Sequence, residues 1–175
     1  GYVRQAVHLV TDNLTSDDHV AFIAYNHLVH VLVPLHKMVN REYLHHRIDE
    51  LTAEGYTNLS AGMLEGCAQL HKQLDKPGLH HVILLTDGLA NRGVTNANSL
   101  VRLVDRCTRH GITLTTVGLG TEYNEQLLAR MAQAGGGRYI YVAEPDKIPA
   151  AFEKELGALL DVVAQNTKLQ MQLPL

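Results

Sequence analysis

Apolar residues recur along this chain in two periods that take turns, one helical and one extended. Val3, Val7, Val10 and Leu14 fall at helical spacing and predict an opening amphipathic helix. The polar stretch TSDD then leads into HVAFIAYNHLVHVLVPL, two apolar runs joined by a tight turn near Asn26–His27. This reads as a β-hairpin, with Pro34 ending the second strand's regular pairing. Asn40 is placed to cap a helix carrying Leu44, Ile48 and Leu51, which Gly55 stops. A further helix starts near Leu59, and Pro77-Gly78 breaks it. Val82–Thr86 is a continuous apolar strand. It is followed by a helix with Leu100, Leu103 and Cys107 on one side and Gly111 as its C-cap. ITLTTVGLG is the next strand, and a short helix with Leu128, Met131 and Ala132 ends at Gly135–Gly137. RYIYV is a last short strand before a long helix from Ile148 to Val163.

Strands with apolar residues at nearly every position must be buried on both faces. Their alternation with helices predicts an α/β, doubly wound, mostly parallel sheet with helices on both faces, and the hairpin adds one antiparallel edge strand. In such sheets ligands bind outside the carboxyl ends of the strands, where Asp87 and Gly88 fall. The end of the chain differs. In NTKLQMQLPL, Leu169, Met171 and Leu173 alternate with Lys168, Gln170 and Gln172, the pattern of a half-buried strand. Residues 1–165 are therefore read as one domain, and residues 166–175 as the first strand of, or linker to, a separate β-rich domain.

Composition narrows the classes. The chain has 175 residues, 46% hydrophobic and 19% charged, as an ordinary folded domain does. A net charge of −3 with scattered Lys and Arg leaves no basic footprint for nucleic acid. No apolar run approaches the length of a membrane span, and localisation stays open. Cys67 and Cys107 sit within helical patterns as small core residues, not as a disulfide framework. Cys67 and His71 share a helix face, which reads as a buried Cys beside a surface His, with a catalytic thiol as the alternative. Eleven histidines are an unusual count, and His45-His46, His80-His81 and the His27/His30 pair invite a metal reading. The spacing opposes it, because adjacent residues on a helix or strand point apart. Solvated histidines would act through charge: eleven protonations turn −3 into +8 around a pKa of about 6.5.

Nucleotide and hydrolase motifs fall away. GLGTEY puts Tyr123 where a dinucleotide fingerprint needs its last glycine, and neither a P-loop nor a G-x-S-x-G elbow occurs. The polar residues left at strand and loop ends are EGYTNLSAG and LTDGLANRG. The Thr57 hydroxyl and Asp87 carboxylate are hard oxygen donors, suited to Mg²⁺ or Mn²⁺ and poor for zinc. Taken singly, Asp87-Gly88 is an ordinary turn and Thr57-Asn58 an ordinary helix start.

With these stretches on the page, the chain resembles the von Willebrand factor type A (vWA) domain. LTSDDHVAFIAYNHLVHVLVPL, GYTNLSAGM, VILLTDGLANRGV and TTVGLGTEYNEQLLARMAQAGGGRYIYV occur in family order and cover nearly the whole chain. It is most similar to the bacterial branch, which is itself similar to the domains of inter-alpha-trypsin inhibitor heavy chains. The resemblance implies a metal-ion-dependent adhesion site (MIDAS) built from three loops, with Thr57 matching the second loop's threonine and Asp87 the third loop's aspartate. The family's Asp-x-Ser-x-Ser motif ends its first strand, just before the opening helix. Gly1 follows that point, so the chain is expected to lack the central first strand, between Val20–Tyr25 and Val82–Thr86, and three of five side-chain ligands. Ion binding by this chain alone is expected to be weak or absent.

The function implied is protein–protein recognition, in which an acidic side chain of a partner protein completes the shell of a bound Mg²⁺ or Mn²⁺. No enzyme activity is expected. The alternatives are a metal-assisted hydrolase and a structural vWA domain whose metal site is incomplete.

Overall fold

Odd and even residues of the central strands bury on opposite faces, and that two-sidedness organises the molecule. A computed structural model describes residues 2–38, 40–50 and 56–160. Leu51 and Gly55, residues 161–163 of the expected last helix and the alternating stretch from Leu169 to Leu173 lie outside the described residues. Strand β4 (Ile112–Leu119) runs parallel to β3 (His80–Thr86) on one side and β5 (Gly136–Val142) on the other. On one face Leu84, Ile112 and Leu114 bury against α3 (Leu59–His71), α4 (Ala97–Arg109) and α5 (Glu125–Ala134). On the other, Val117, Leu119 and Val142 bury against Ile148 and Phe152 of α6 (Ile148–Leu160). Two threonines on β4 follow the same alternation. Thr116 donates to the Leu128 carbonyl on α5 (2.9 Å), and Thr115 donates to the buried Glu155 carboxylate on α6 (2.6 Å). Arg138 lies 3.6 Å from the other oxygen of that carboxylate.

The hairpin forms, but as a sheet of its own. Strands β1 (His19–Tyr25) and β2 (Val29–Lys37) pair antiparallel. Regular pairing breaks at Pro34 as expected, and the strand resumes beyond it. The register passes from Phe22↔Val33 to Val20↔His36, so Pro34 and Leu35 face one residue in a bulge where Pro's missing N–H is tolerated. Among the described residues no backbone pairing joins β1 to β3, the two strands that the resemblance sets either side of a further strand. Exposure agrees with an open seam: β1 is half-buried throughout and β3 over most of its length, whereas β4 is buried at nearly every position.

Two helices straddle the seam from opposite faces. Helix α3 packs on β1, β2 and β3. Across the sheet, α1 (Tyr2–Asn13) sends Val10 into the α6-side core. Its Val7, with Leu14 just beyond its end, packs against Val33, Met38, Leu44 and Ile48, the last two on α2 (Arg41–Asp49). Helices α2, α3, α4 and α5 all start on an asparagine whose side chain accepts a backbone N–H three residues on, from Asn40, Asn58, Asn96 and Asn124.

The neighbouring histidines do point apart. His45 stacks on His8 of α1 at 4.1 Å, while His46 faces Glu50 at 3.6 Å. His80 reaches the Lys76 carbonyl (3.2 Å), while the His81 Nδ1 meets the Thr113 hydroxyl across the ladder (2.6 Å). The other ring nitrogen of His81 is enclosed without a hydrogen-bond partner, and burial lowers its pKa to about 4. Its unfolded value is about 6.5, so the unfolded chain binds the proton more readily between the two values. The neutral ring's contribution is complete above pH about 6.5, and it is lost as pH falls toward 4, up to about 3 kcal/mol. His81→Gln keeps a partner for Thr113 and removes this titration. Its urea midpoint is expected to fall less between pH 7 and pH 5 than that of the unsubstituted chain; equal falls would show that His81 does not couple to folding.

Candidate functional site

The carboxyl ends of β1 and β3 lead into loops that meet at one edge of the fold. The hairpin turn holds Asn26, His27 and Leu28, the second loop runs from Tyr56 into the Asn58 cap of α3, and the third runs from Asp87 to the Asn96 cap of α4. Backbone hydrogen bonds tie them together. Asn58 N–H donates to the Asn26 carbonyl (2.8 Å), and the amides of Asn91 and Arg92 donate to the Thr57 carbonyl (3.2 and 3.3 Å). Thr57 N–H donates to the Asn91 side chain (2.9 Å), and Val94 N–H donates to the Ser60 hydroxyl (3.0 Å). That hydroxyl donates in turn to the Asn58 side chain (2.9 Å). Gly93 fits this knot for two reasons: its φ is +67°, and a Cβ there would collide with the Asn58 and Ser60 side chains.

Asp87 leaves the end of β3 exposed, so no burial stands between its carboxylate and a ligand. The preceding Thr86 closes the strand end, its hydroxyl donating to the Gly88 carbonyl (3.1 Å). Thr57 is half-buried, and the loop bonds use its backbone, not its hydroxyl. A Cβ built on Gly88 would stand 3.4 Å from Thr57 Oγ1, which puts the threonine hydroxyl against the residue next to Asp87. The structure thus brings the two predicted site residues to one place.

Whether these residues suit a divalent cation turns on donor type and number. A hydroxyl and a carboxylate are the hard oxygens that Mg²⁺ prefers, but the ion demands about six oxygens near 2.0–2.1 Å. Among the described residues no group of three or more His, Cys, Asp or Glu side chains converges on a common point. The donors fit in kind and fall short in number, so further protein ligands or waters would have to complete a shell.

Sequence reasoning missed two contributors. Tyr25, at the end of β1, crosses the seam: its hydroxyl donates to the Leu85 carbonyl on β3, and its ring lies on Gly62 of α3, where a Cβ would come within 2.5 Å. Burial raises its pKa, and the nearby Asp87 charge also raises it, so the phenol stays protonated as a donor. The hairpin turn joins the site as well. His27 meets the Tyr56 ring edge-on (6.5 Å), and the Arg92 guanidinium covers that ring at 4.4 Å. Asn26-His27 was legible as a turn, and its place at the site follows from β1 and β3 ending side by side.

An open, mostly parallel α/β sheet with oxygen donors on loops at its carboxyl edge defines a class of ligand-binding domain. Residues 2–154 match the von Willebrand factor type A domain, and the chain belongs to that family. It is 29% identical over 171 residues to "Uncharacterized protein YfbK" of Escherichia coli (strain K12), which covers 97% of this chain and 30% of that protein. With human inter-alpha-trypsin inhibitor heavy chain H6 it shares 23% identity over 157 residues, 79% of this chain and 12% of the other. The chain thus spans under half the length of the curated relatives it matches. Among solved structures, a von Willebrand factor type A protein from Catenulispora acidiphila superposes with a TM-score of 0.78 at 19% identity, over 87% of this chain and 36% of that one. Proximal thread matrix protein 1 from the mussel byssus, with a zinc-occupied MIDAS motif, gives 0.72 at 15% identity, over 89% and 41%. These likenesses establish the fold.

The Tyr25 bond yields a test. Tyr25→Phe keeps the ring on Gly62 but strips the Leu85 carbonyl of this donor, a loss of about 1–3 kcal/mol for a buried acceptor left unpaired. A chemical-denaturation midpoint matching the unsubstituted chain would show that the bond is not needed to hold the seam.

Proposed function

We propose that this chain is the recognition domain of a larger protein and binds a partner protein through a divalent cation, Mg²⁺ or Mn²⁺. The observation that carries the reading is the setting of Asp87. Its exposed carboxylate and the Thr57 hydroxyl beside Gly88 sit among loops bearing Leu28, Tyr56, Leu89 and Val94, large apolar side chains exposed to solvent. Apolar side chains exposed around a polar centre are the mark of a protein-docking surface. The cation would bridge Asp87 and Thr57 to an acidic side chain of the partner. The remaining ligands would come from water and from a segment of the parent protein outside these 175 residues, where the family carries Asp-x-Ser-x-Ser. The mussel protein, which has the same fold, holds zinc in its MIDAS motif, which supports divalent-ion binding as a capacity of this fold. We also propose that the domain performs no catalysis, its chemistry being ion-mediated binding.

Two substitutions and a chelator test this in the longer parent protein. Partner binding should be strong in Mg²⁺ and lost in excess chelator; equal affinity in the two conditions would rule out the ion bridge. Asp87→Ala should abolish binding while changing stability by no more than about 0.5 kcal/mol, because it removes an exposed charge and no packing. Thr57→Ala should weaken binding less, since a water can replace a neutral oxygen ligand.

A further inference from the structure

Away from the site loops, the two cysteines that the sequence marks as core residues share one core cluster. Cys67 continues the buried Leu59–Met63 stripe of α3, and Cys107 continues the Leu100–Val104 stripe of α4. Both stripes pack into the core on the same face of the parallel sheet. Both helices start at the loop edge, and at 1.5 Å per residue Cys67 and Cys107 lie about 12 and 15 Å along them, within a turn of the same depth. One turn beyond, the His71 and His110 rings touch edge to face at 5.2 Å, which pins the helix ends together beside the cysteines. Both cysteines are unoxidised, and both pack at the one core cluster that α3 and α4 share.

We propose that Cys67 and Cys107 form a reversible dithiol–disulfide site that links α3 to α4 on reaction with a low-molecular-mass disulfide. The two positions divide the roles. Cys107 is half-buried and therefore reachable, whereas Cys67 is only 8% exposed. The neighbouring Cys67 thiol and the Arg106 charge lower the Cys107 thiol, and the same neighbour and burial raise Cys67. Thiolate is the reacting form, so Cys107 is the attacking sulfur and Cys67 the resolving one.

The exchange balances. The Cys107 thiolate attacks one sulfur of the disulfide RSSR, a mixed disulfide forms on Cys107, and the first thiolate RS⁻ departs with the proton Cys107 gave up. Cys67 then releases its proton, its sulfur attacks the Cys107 sulfur, and the second RS⁻ leaves and takes that proton. The protein dithiol is oxidised by two electrons and RSSR is reduced to two RSH. The new bond closes a loop that contains the Asp87–Asn96 segment, while the Tyr56–Asn58 segment lies outside it, at the start of α3.

Incubation of the 175-residue chain with glutathione disulfide tests the proposal by intact mass and peptide mapping. The expected result is a monomer lighter by two hydrogens, with a Cys67–Cys107 cross-linked peptide, no retained glutathione, and recovery of both thiols on reduction. Its thermal midpoint should rise by roughly 5–10 °C over the reduced form. Cys67→Ser should halt at one glutathione on Cys107, and Cys107→Ser should react far more slowly. An unreactive pair in the unsubstituted chain, a stable adduct without the cross-link, or a disulfide between two molecules would each overturn the assignment.

Discussion

The open seam between β1 and β3 is the constraint on which the rest of this structure depends. Backbone pairing holds each sheet together, but among the described residues no ladder joins the hairpin to the three-stranded sheet. What joins them is side-chain packing and local polar contact. Helix α3 lies across one face and α1 across the other, and Tyr25 spans the gap to the Leu85 carbonyl. Packing of this kind has no fixed register, whereas a ladder does. The loops at the carboxyl edge supply the register instead, through the Asn26, Thr57 and Asn91 hydrogen bonds. Stability and site geometry therefore rest on the same few contacts.

That coupling explains why the candidate site is well formed on the loop side and sparse on the ligand side. Loop backbones and the amides of Asn58 and Asn91 are spent on one another, with Gly93 admitting the close approach. The Asp87 carboxylate and Thr57 hydroxyl stay out of that network and remain facing the edge. On the proposed function, loops tied to one another in this way would hold Asp87 and Thr57 in place for an ion, the preorganisation a binding site needs.

Much of this was legible in the sequence, for identifiable reasons. The strands of the parallel sheet are continuous apolar runs and the helices carry clear stripes, so their order and type could be read directly. Asn40 announced its helix because it precedes a periodic run. Asn58 was legible as a helix start, whereas the caps at Asn96 and Asn124 follow the same chemistry inside loops that looked merely polar. Thr57 and Asp87 stood out as hard oxygen donors, but only the family resemblance joined them in one site, since by themselves they read as a helix start and a turn. What stayed hidden depends on contacts far apart in the chain. Tyr25 reads as a routine strand aromatic, and nothing local shows that it rests on Gly62 and bonds β3. Cys67 and Cys107 read correctly as core residues, but only the packing of α3 beside α4 makes them neighbours. Pro34 marked the break in the hairpin, and the bulge that lets the strand continue belongs to the pairing, not to the proline.

The central claim is that Asp87 and Thr57 form the ion-holding part of a recognition surface. Manganese(II) titrated into the isotope-labelled chain, with amide-signal broadening followed residue by residue, tests it most directly, because paramagnetic broadening reports even weak and transient binding. The account predicts broadening centred on the amides of Thr57, Asn58, Asp87 and Gly88, fading with distance and reversed by chelator. Broadening centred elsewhere, as at the stacked His8 and His45, would contradict it.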